Sequence, residues 1–475
     1  MDVKGATVAT VSHEQNVQKR KPGVRYWPLY IFFLALGIRL AAQALLPEVR
    51  LNPDAAEYEH LAAGIVMDGT YGFRPDWRQN PLLAHSQWRF LYDENGTGRP
   101  PGYPALVAAL TAVFGPEAQQ KSQAILRAVC GAVSAVLVFK CAELLFTSWA
   151  GVIAGLLFAF SPTDVGLVLF VGRDTVVTMF VCGAMCLIAI AVTRGSIRPL
   201  LLAGVVLGLG MYLKETIVCI GIAFFLWSLW FAIRRSRRLV FGAVLMLALA
   251  GAVVSPWVIR NTMRTGHLTG LSITSGTAMW LGIIDPNWKS HAPLSDMDWS
   301  LGLEEPSSRK NDPFAAATPS QADAGLRENV KAYAWRHPGQ TASAMIRNAA
   351  IFWSPVPRSI LQGDRKFGAV ELCTVLEMLT FVLAGIWALW RLRGNAMAWY
   401  FAVLLLVVTA IHLPFCAYPR YRVPYQPALM ILLAGLAHEW RLHRKRQGPP
   451  DAQAVRKQAC TPQTSYHSRF LPRRK

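Results

Sequence analysis

Charge is scarce in this 475-residue chain: only 16 % of its residues are Asp, Glu, Lys or Arg, against about 25 % in an average soluble domain. With 53 % hydrophobic residues, that deficit excludes a disordered chain. It also argues against the roughly three soluble domains that length alone would suggest. Acidic residues are the scarcer sign, 28 against 48 basic, and the net charge is +20. The basic excess does not form one patch for nucleic acid. It is divided into small clusters between apolar runs, as in the cytoplasmic loops of a polytopic membrane protein. The eight cysteines include no C-x-x-C, which leaves neither a zinc motif nor a disulfide framework. Cys182 and Cys186, one helical turn apart, read as small apolar packing residues.

What is plentiful is apolar sequence of spanning length. A helical span needs about 20 residues. Candidates lie near 27–46, 122–146, 149–171, 175–193, 199–213, 216–233, 239–258, 370–390, 397–415 and 423–440, about ten in all. The stretch 101–115 is apolar but short, and reads as a re-entrant or interfacial helix. If it does not cross, the basic clusters all share one side. These are Lys19, Arg20, Lys21 and Arg25; Arg194 and Arg198; Arg234, Arg235, Arg237 and Arg238; Arg391 and Arg393; and Arg441, Arg444, Lys445 and Arg446. The positive-inside rule makes that side cytoplasmic. Ala42-Gln43-Ala44 resembles a signal-peptide cleavage site, but the long polar leader and Arg39 favour a retained span.

The expected fold is therefore an all-α polytopic bundle of about ten transmembrane helices. Residues 1–26 form a cytoplasmic segment, and 27–258 a catalytic transmembrane region with an extracytoplasmic first loop at 47–121. A long extracytoplasmic loop covers 259–369, the last transmembrane helices cover 370–440, and 441–475 is a cytoplasmic tail whose composition reads as disordered. Within the long loop, 321–353 reads as a helix lying along the membrane surface or on the bundle.

Long loops usually carry function. The first begins Asn52-Pro53-Asp54-Ala55-Ala56-Glu57-Tyr58, so Asp54 follows the membrane exit closely. A carboxylate there suits proton abstraction at the lipid surface. Asp after Pro is also a good helix N-cap, and spacing alone favours the cap. Farther on, Arg99-Pro100-Pro101-Gly102-Tyr103-Pro104 fixes a turn where the chain re-enters the apolar layer. Arg99, Arg173, Lys214, Arg260, Arg420 and Arg422 all fall on the outer side, where basic residues should be rare. Each taken singly is as well explained by phospholipid headgroups. Together with Asp54 and Asp174 they suit a lipid-linked phosphate, which needs cations at headgroup level. Trp280, Trp288 and Trp299 in the long loop are candidates for stacking on sugars, but interfacial anchoring is the stronger reading.

The order of these motifs resembles the integral-membrane glycosyltransferases of the GT-C fold. They are the early Asp54 with Tyr58 four residues on, the Arg-Pro-Pro-Gly-Tyr-Pro turn, Pro256-Trp257-Val258-Ile259-Arg260-Asn261 and Arg420-Tyr421-Arg422-Val423-Pro424. Within that class the chain is similar, over about 27–440, to the bacterial relatives of dolichyl-phosphate-mannose–protein mannosyltransferases, including the aminoarabinose transferases of lipid A. The resemblance implies inverting transfer from a polyprenyl-phosphate sugar to an envelope lipid, polysaccharide or protein. The site would face the outside of a bacterial cytoplasmic membrane. Asp54 matches the family's first-loop catalytic aspartate and Asp174 the acidic position at the second outer loop; Glu57 is a further candidate for a second acidic or metal position, and Tyr58 for substrate positioning. Lys214 matches a lysine common at the third outer loop, and Arg260 and Arg420 match positions near the donor phosphate, for which Arg422 and Arg99 are further candidates. Two departures bear on the acceptor. Ala55 follows Asp54 where many relatives carry a second acid, and Arg99 stands where lipid A modifiers usually have lysine. Two carboxylates beside a phosphate could hold Mg²⁺ or Mn²⁺, but the cations supply enough charge to favour a metal-free site. The alternative function is a transporter or flippase for a lipid-linked anionic glycan.

Overall fold

The computed structural model describes residues 26–46, 53–84, 92, 94–170, 172–232, 237–284, 318–356 and 368–447. Among the described residues there is no β-strand. The chain opens with α1 (Trp27–Leu45), and the first loop holds α2 (Pro53–Asp68) and α3 (Gly102–Phe114). The bundle continues through α4 (Gln119–Leu145), α5 (Ser148–Phe160), the short α6 (Pro162–Leu167), α7 (Asp174–Arg194), α8 (Arg198–Met211), α9 (Cys219–Ala232) and α10 (Arg237–Thr265). The long loop contributes α11 (Ser275–Ile283), α12 (Pro319–Arg336) and α13 (Pro338–Trp353). Last come α14 (Ala369–Arg391), α15 (Ala396–His412) and α16 (Pro427–Gln447).

A helix lies on each apolar run expected to span. Among the described residues, five helices are long and apolar enough to cross a membrane: α1, the run Pro116–Leu145 that contains α4, α7, α10 and the Glu371–Arg391 part of α14. By contrast α3, α5, α8, the run Glu215–Phe231 and α15 are apolar but only 10–17 residues long. The span expected at 149–171 is broken. Ser161 caps a new helix, its hydroxyl accepting from the Asp164 amide at 3.1 Å, and Pro162 takes the first position. The single helix expected over 321–353 is likewise two. Pro338 disfavours a helical conformation at His337, so α12 stops there and α13 begins.

Small residues set the closest helix contacts. A Cβ on Gly204 would lie 2.6 Å from the Met246 carbonyl oxygen, and one on Gly208 2.5 Å from Val253 Cβ. Glycines four apart thus let α8 lie directly on α10. Arg39, which interrupts the first apolar run, faces the bundle and is 0 % exposed. Its guanidinium donates to the carbonyls of Ala35 and Phe158, and a Cβ on Gly131 would come within 2.2 Å of its Nε. Gly131→Ala should therefore overpack α4 against α1. About 1–3 kcal/mol of stability is at stake, read as a lower melting temperature of the detergent-solubilised protein. An unchanged melt would mean that Arg39 reorients without penalty.

The basic residues near the helix ends fall into two groups, one at each end of the bundle. α7 runs from Asp174 to Arg194, about 30 Å away at 1.5 Å per residue. Arg198, Arg237, Arg391 and Arg441 lie toward the Arg194 end, and Lys214, Arg260 and Arg420 toward the Asp174 end. Cysteines at Leu268, 84 % exposed beyond α10, and at the exposed Gly394 test the orientation directly. An impermeant thiol reagent applied outside intact cells should label the first and spare the second. The reverse pattern would invert the expected topology.

Candidate active site at one end of the bundle

Pro53 opens α2, and Asp54 stands inside its first turn, where the helix dipole favours a carboxylate. Asp54 Oδ1 accepts from Arg99 Nη2 at 2.9 Å, and Oδ2 accepts from Arg420 Nη2 at 2.7 Å. Glu57, three residues on, is 0 % exposed. Its Oε2 accepts from Arg99 Nε, and its Oε1 accepts from the Tyr92 hydroxyl at 2.6 Å. Arg99 therefore joins two carboxylates presented by one helix.

The rest of the first loop holds this arrangement in place. Phe73 stacks on Tyr92 at 4.1 Å and Trp77 meets it edge-on at 5.2 Å. With Ala56, Leu61 and Leu83 they make a small apolar core under the polar groups. The Tyr71 hydroxyl donates to the Arg99 carbonyl at 2.9 Å. Gly72 permits the chain to cross itself, since a Cβ there would lie 1.8 Å from the Glu94 carbonyl oxygen. The Pro-Pro-Gly turn then docks α3 on the end of α8. Gly102 N–H donates to the Tyr212 carbonyl at 2.8 Å, and a Cβ on Gly102 would sit 2.6 Å from that oxygen.

Two residues beyond that contact, Lys214 lies beside a third carboxylate, Asp174. Lys214 is 5 % exposed, with Nζ 3.6 Å from Asp174 Oδ1 and 4.3 Å from the centre of the Tyr421 ring. Arg173 Nη1 donates to the Leu213 carbonyl at 2.6 Å, and its guanidinium lies 5.6 Å from the Tyr58 ring centre. Tyr58 is buried, its ring edge-on to Tyr103 at 5.1 Å. Arg420 lies 5.5 Å from the Tyr418 ring centre and 5.6 Å from that of Tyr421. One end of the apolar bundle thus gathers Asp54, Glu57, Tyr58, Arg99, Asp174, Lys214 and Arg420.

Burial alone would raise the Asp54 carboxyl, but Arg99, Arg420 and Arg173 outweigh it and hold Asp54 well below the usual carboxylate range. For Glu57 burial prevails over Arg99, and its carboxyl is pushed up. Burial also lowers the Lys214 ammonium to about 8, with Asp174 opposing the shift and Arg173 and Arg420 adding to it. These shifts separate the roles: Asp54 is held as the anion, while Lys214 can change charge near neutral pH.

Arg260 and Arg422, which the sequence groups with the phosphate-binding cations, are engaged with backbone. Arg260 Nη2 donates to the carbonyls of Tyr71 and Asn95, and its guanidinium lies 4.3 Å from the Trp257 ring centre. It braces the first loop against α10. Arg422 Nη1 donates to the carbonyls of Phe352 and Ser354 at 2.7 and 2.6 Å, which ties the end of α13 to the turn before α16. Trp280 is 2 % exposed and packs with Leu326 and Val330 of α12 in a core of the long loop. Trp288 and Trp299 lie outside the described residues. Arg173 is legible in the sequence only as one more outer cation, although its charge acts on Asp54. Tyr92 carries no sequence signal, and Tyr421 is legible only as part of the 420–424 motif; the fold turns them toward Glu57 and Lys214.

The carboxylates here are engaged by cations rather than grouped with one another. Among the described residues no three of His, Cys, Asp and Glu converge. Both Asp54 oxygens accept from guanidinium groups that an ion would have to displace.

Residues 98–259 match the family described as dolichyl-phosphate-mannose-protein mannosyltransferase. No curated protein matches the chain in sequence. Among solved structures, the archaeal oligosaccharyltransferase AglB from Archaeoglobus fulgidus, in complex with an inhibitory peptide and a dolichol-phosphate, is similar with a TM-score of 0.53 at 14 % identity. The match covers 90 % of this chain and 53 % of that one. The apo form of the Archaeoglobus fulgidus enzyme gives 0.52 at 14 % identity, over 89 % and 52 %. The chain thus spans about half the length of the oligosaccharyltransferase it matches. ArnT from Cupriavidus metallidurans, bound to undecaprenyl phosphate, aligns over 87 % of this chain and 77 % of its own, at 13 % identity and a TM-score of 0.37. The likeness to the oligosaccharyltransferase establishes the fold: the protein is an all-helical bundle of the GT-C type.

Proposed function

We propose that the protein is an inverting glycosyltransferase. It moves a sugar from a polyprenyl-phosphate donor to a hydroxyl of an envelope lipid, polysaccharide or protein, at the outer face of a bacterial cytoplasmic membrane. One observation carries this reading: Asp54 stands among Arg99, Arg420, Arg173 and Lys214 at a single end of an apolar bundle. The matched family is described by a dolichyl-phosphate sugar donor, and the similar archaeal enzyme is recorded with a dolichol-phosphate. Both support a lipid-phosphate donor here.

The chemistry follows from charge. The acceptor oxygen attacks the anomeric carbon from the side opposite the phosphate, and Asp54 takes the hydroxyl proton. Negative charge grows on the phosphate as its bond to carbon breaks. Lys214 and Arg420 stabilise it there, an electrostatic role that is usually the largest in catalysis. A transporter would place its binding groups near the membrane midplane. The cations here gather at the helix ends, which favours the enzyme. In proteoliposomes supplied with polyprenyl-phosphate sugars and an envelope extract, labelled sugar should pass to acceptor as free polyprenyl phosphate accumulates. Movement of intact donor across the bilayer without transfer would favour the transporter.

A pH dependence follows as well. Lysine is charged below its pKa, so the contribution of Lys214 should fade as pH rises through about 8. kcat/KM should show an alkaline limb there. Arginine stays charged, so Lys214→Arg should move that limb upward. A limb unmoved in the variant would assign it to another group.

A further inference from the structure

Asp54 presents an inconsistency as a base: both of its oxygens already accept from guanidinium groups. A proton acceptor in hydrogen-bond reach of the attacking hydroxyl must have one oxygen open. One arginine must therefore leave, and the two differ in how they are held. Arg99 is anchored at three points: its Nε donates to the buried Glu57, its backbone carbonyl accepts from Tyr71, and its Nη2 holds Asp54. Its side chain is 13 % exposed. Arg420 stands on a single 3₁₀ turn, Pro419–Tyr421, and its side chain is 34 % exposed. Its Nε has no hydrogen-bond partner among the described residues. It lies to one side of the Tyr418 and Tyr421 rings, which are edge-on to each other and attract it as a cation. Lys214 lies against the same Tyr421 ring, so a phosphate held by Lys214 is within reach of Arg420.

We infer that Asp54 is an internal stand-in for the donor phosphate, holding Arg420 until the phosphate takes that guanidinium and leaves Oδ2 open for the acceptor's proton. This rests on the glycosyltransferase reading and adds an order to it: the acceptor hydroxyl is activated only after the donor is bound. The balance is simple. The acceptor oxygen forms its bond to the anomeric carbon, the carbon–oxygen bond to phosphate breaks, and the hydroxyl proton passes to Asp54 Oδ2. The polyprenyl phosphate keeps the electron pair and departs. Arg420 then returns to Asp54 and drives the proton out to water. Arg99 stays in place throughout and keeps the carboxylate aimed.

The test is a binding measurement whose sign is unusual. Wild type, Asp54→Asn, Asp54→Ala and Arg420→Gln are compared for affinity toward a polyprenyl phosphate, with the corresponding uncharged polyprenol as control. If Asp54 competes with phosphate for Arg420, removing the carboxylate should tighten phosphate binding, about tenfold or more for a charge-assisted pair. Arg420→Gln should weaken it by a similar factor, and no variant should change polyprenol binding. Two Asp54 variants of different shape guard against a folding failure in either. Equal or weaker phosphate binding in the folded Asp54 variants would overturn the exchange while leaving the donor assignment intact. If no form of the protein prefers the phosphate to the polyprenol, the donor reading falls and the exchange with it.

Discussion

Asp54→Asn should slow sugar transfer by about 10²–10⁴-fold, the range that a positioned general base contributes. The substitution keeps the shape of the side chain and removes its ability to take the proton. It separates two readings that the sequence leaves open, because Asn is also a good helix cap. A residue that served the helix alone would tolerate the exchange. Asp54 stands inside the first turn of α2 with both oxygens on guanidinium groups, a placement that suits a charged role. The variant should elute and melt as a folded protein while turnover collapses. A nearly active Asp54→Asn enzyme would remove Asp54 from the mechanism. Chelation supplies a companion measurement: if arginine and lysine alone neutralise the site, wild-type activity should survive it.

Lys214→Ala should lower turnover by roughly 30- to 1000-fold, equivalent to about 2–4 kcal/mol of lost transition-state stabilisation. Lys214 is 5 % exposed, so the charge it loses is not replaced by bulk water. Arg260→Ala makes the informative contrast. Arg260 holds the carbonyls of Tyr71 and Asn95 and packs on Trp257, so its loss should loosen the first loop and lower the melting temperature. Saturating donor should restore much of the turnover in Arg260→Ala and none of it in Lys214→Ala. The same response in both variants would mean that the two cations share one role.

The sequence makes the helical bundle legible because lipid imposes a rule on composition. Among the described residues each apolar run carries helix, although only five helices reach spanning length and the run at 149–171 is broken. Breaks inside the runs are less visible. The Ser161-Pro162 step reads as a detail in sequence, yet a capping hydroxyl and a ring lacking an N–H end α5 there and start α6. The outer cations are legible as a group, because basic residues on that side defy the positive-inside rule. Their division is not. Arg420 and Arg422 are two residues apart, but a 3₁₀ turn sends one to Asp54 and the other to the carbonyls of Phe352 and Ser354. Spacing cannot foresee such a choice, because it depends on which carbonyls the end of α13 leaves unpaired. Glu57 shows the same limit. It reads as a spare carboxylate, and only the burial of Tyr92 and Arg99 against it makes it the anchor of the loop.

The ion pair between Arg420 and Asp54 joins positions 366 residues apart. Translation at 5–20 residues per second separates their synthesis by about 20–70 s. During that interval the nascent chain has inserted its first helices and can set Asp54 against Arg99, but the second guanidinium does not yet exist. The charge network that defines the site is therefore closed only once the turn Pro419–Tyr421 has been made. A ribosome stalled before Tyr418 would leave a bundle that looks folded in its first half yet cannot complete the site. Membrane quality control that samples half-made chains would meet this protein with its acidic centre only partly neutralised. Substitutions that weaken the turn Pro419–Tyr421 should accordingly reduce the yield of assembled protein in cells, even where the purified survivors are stable.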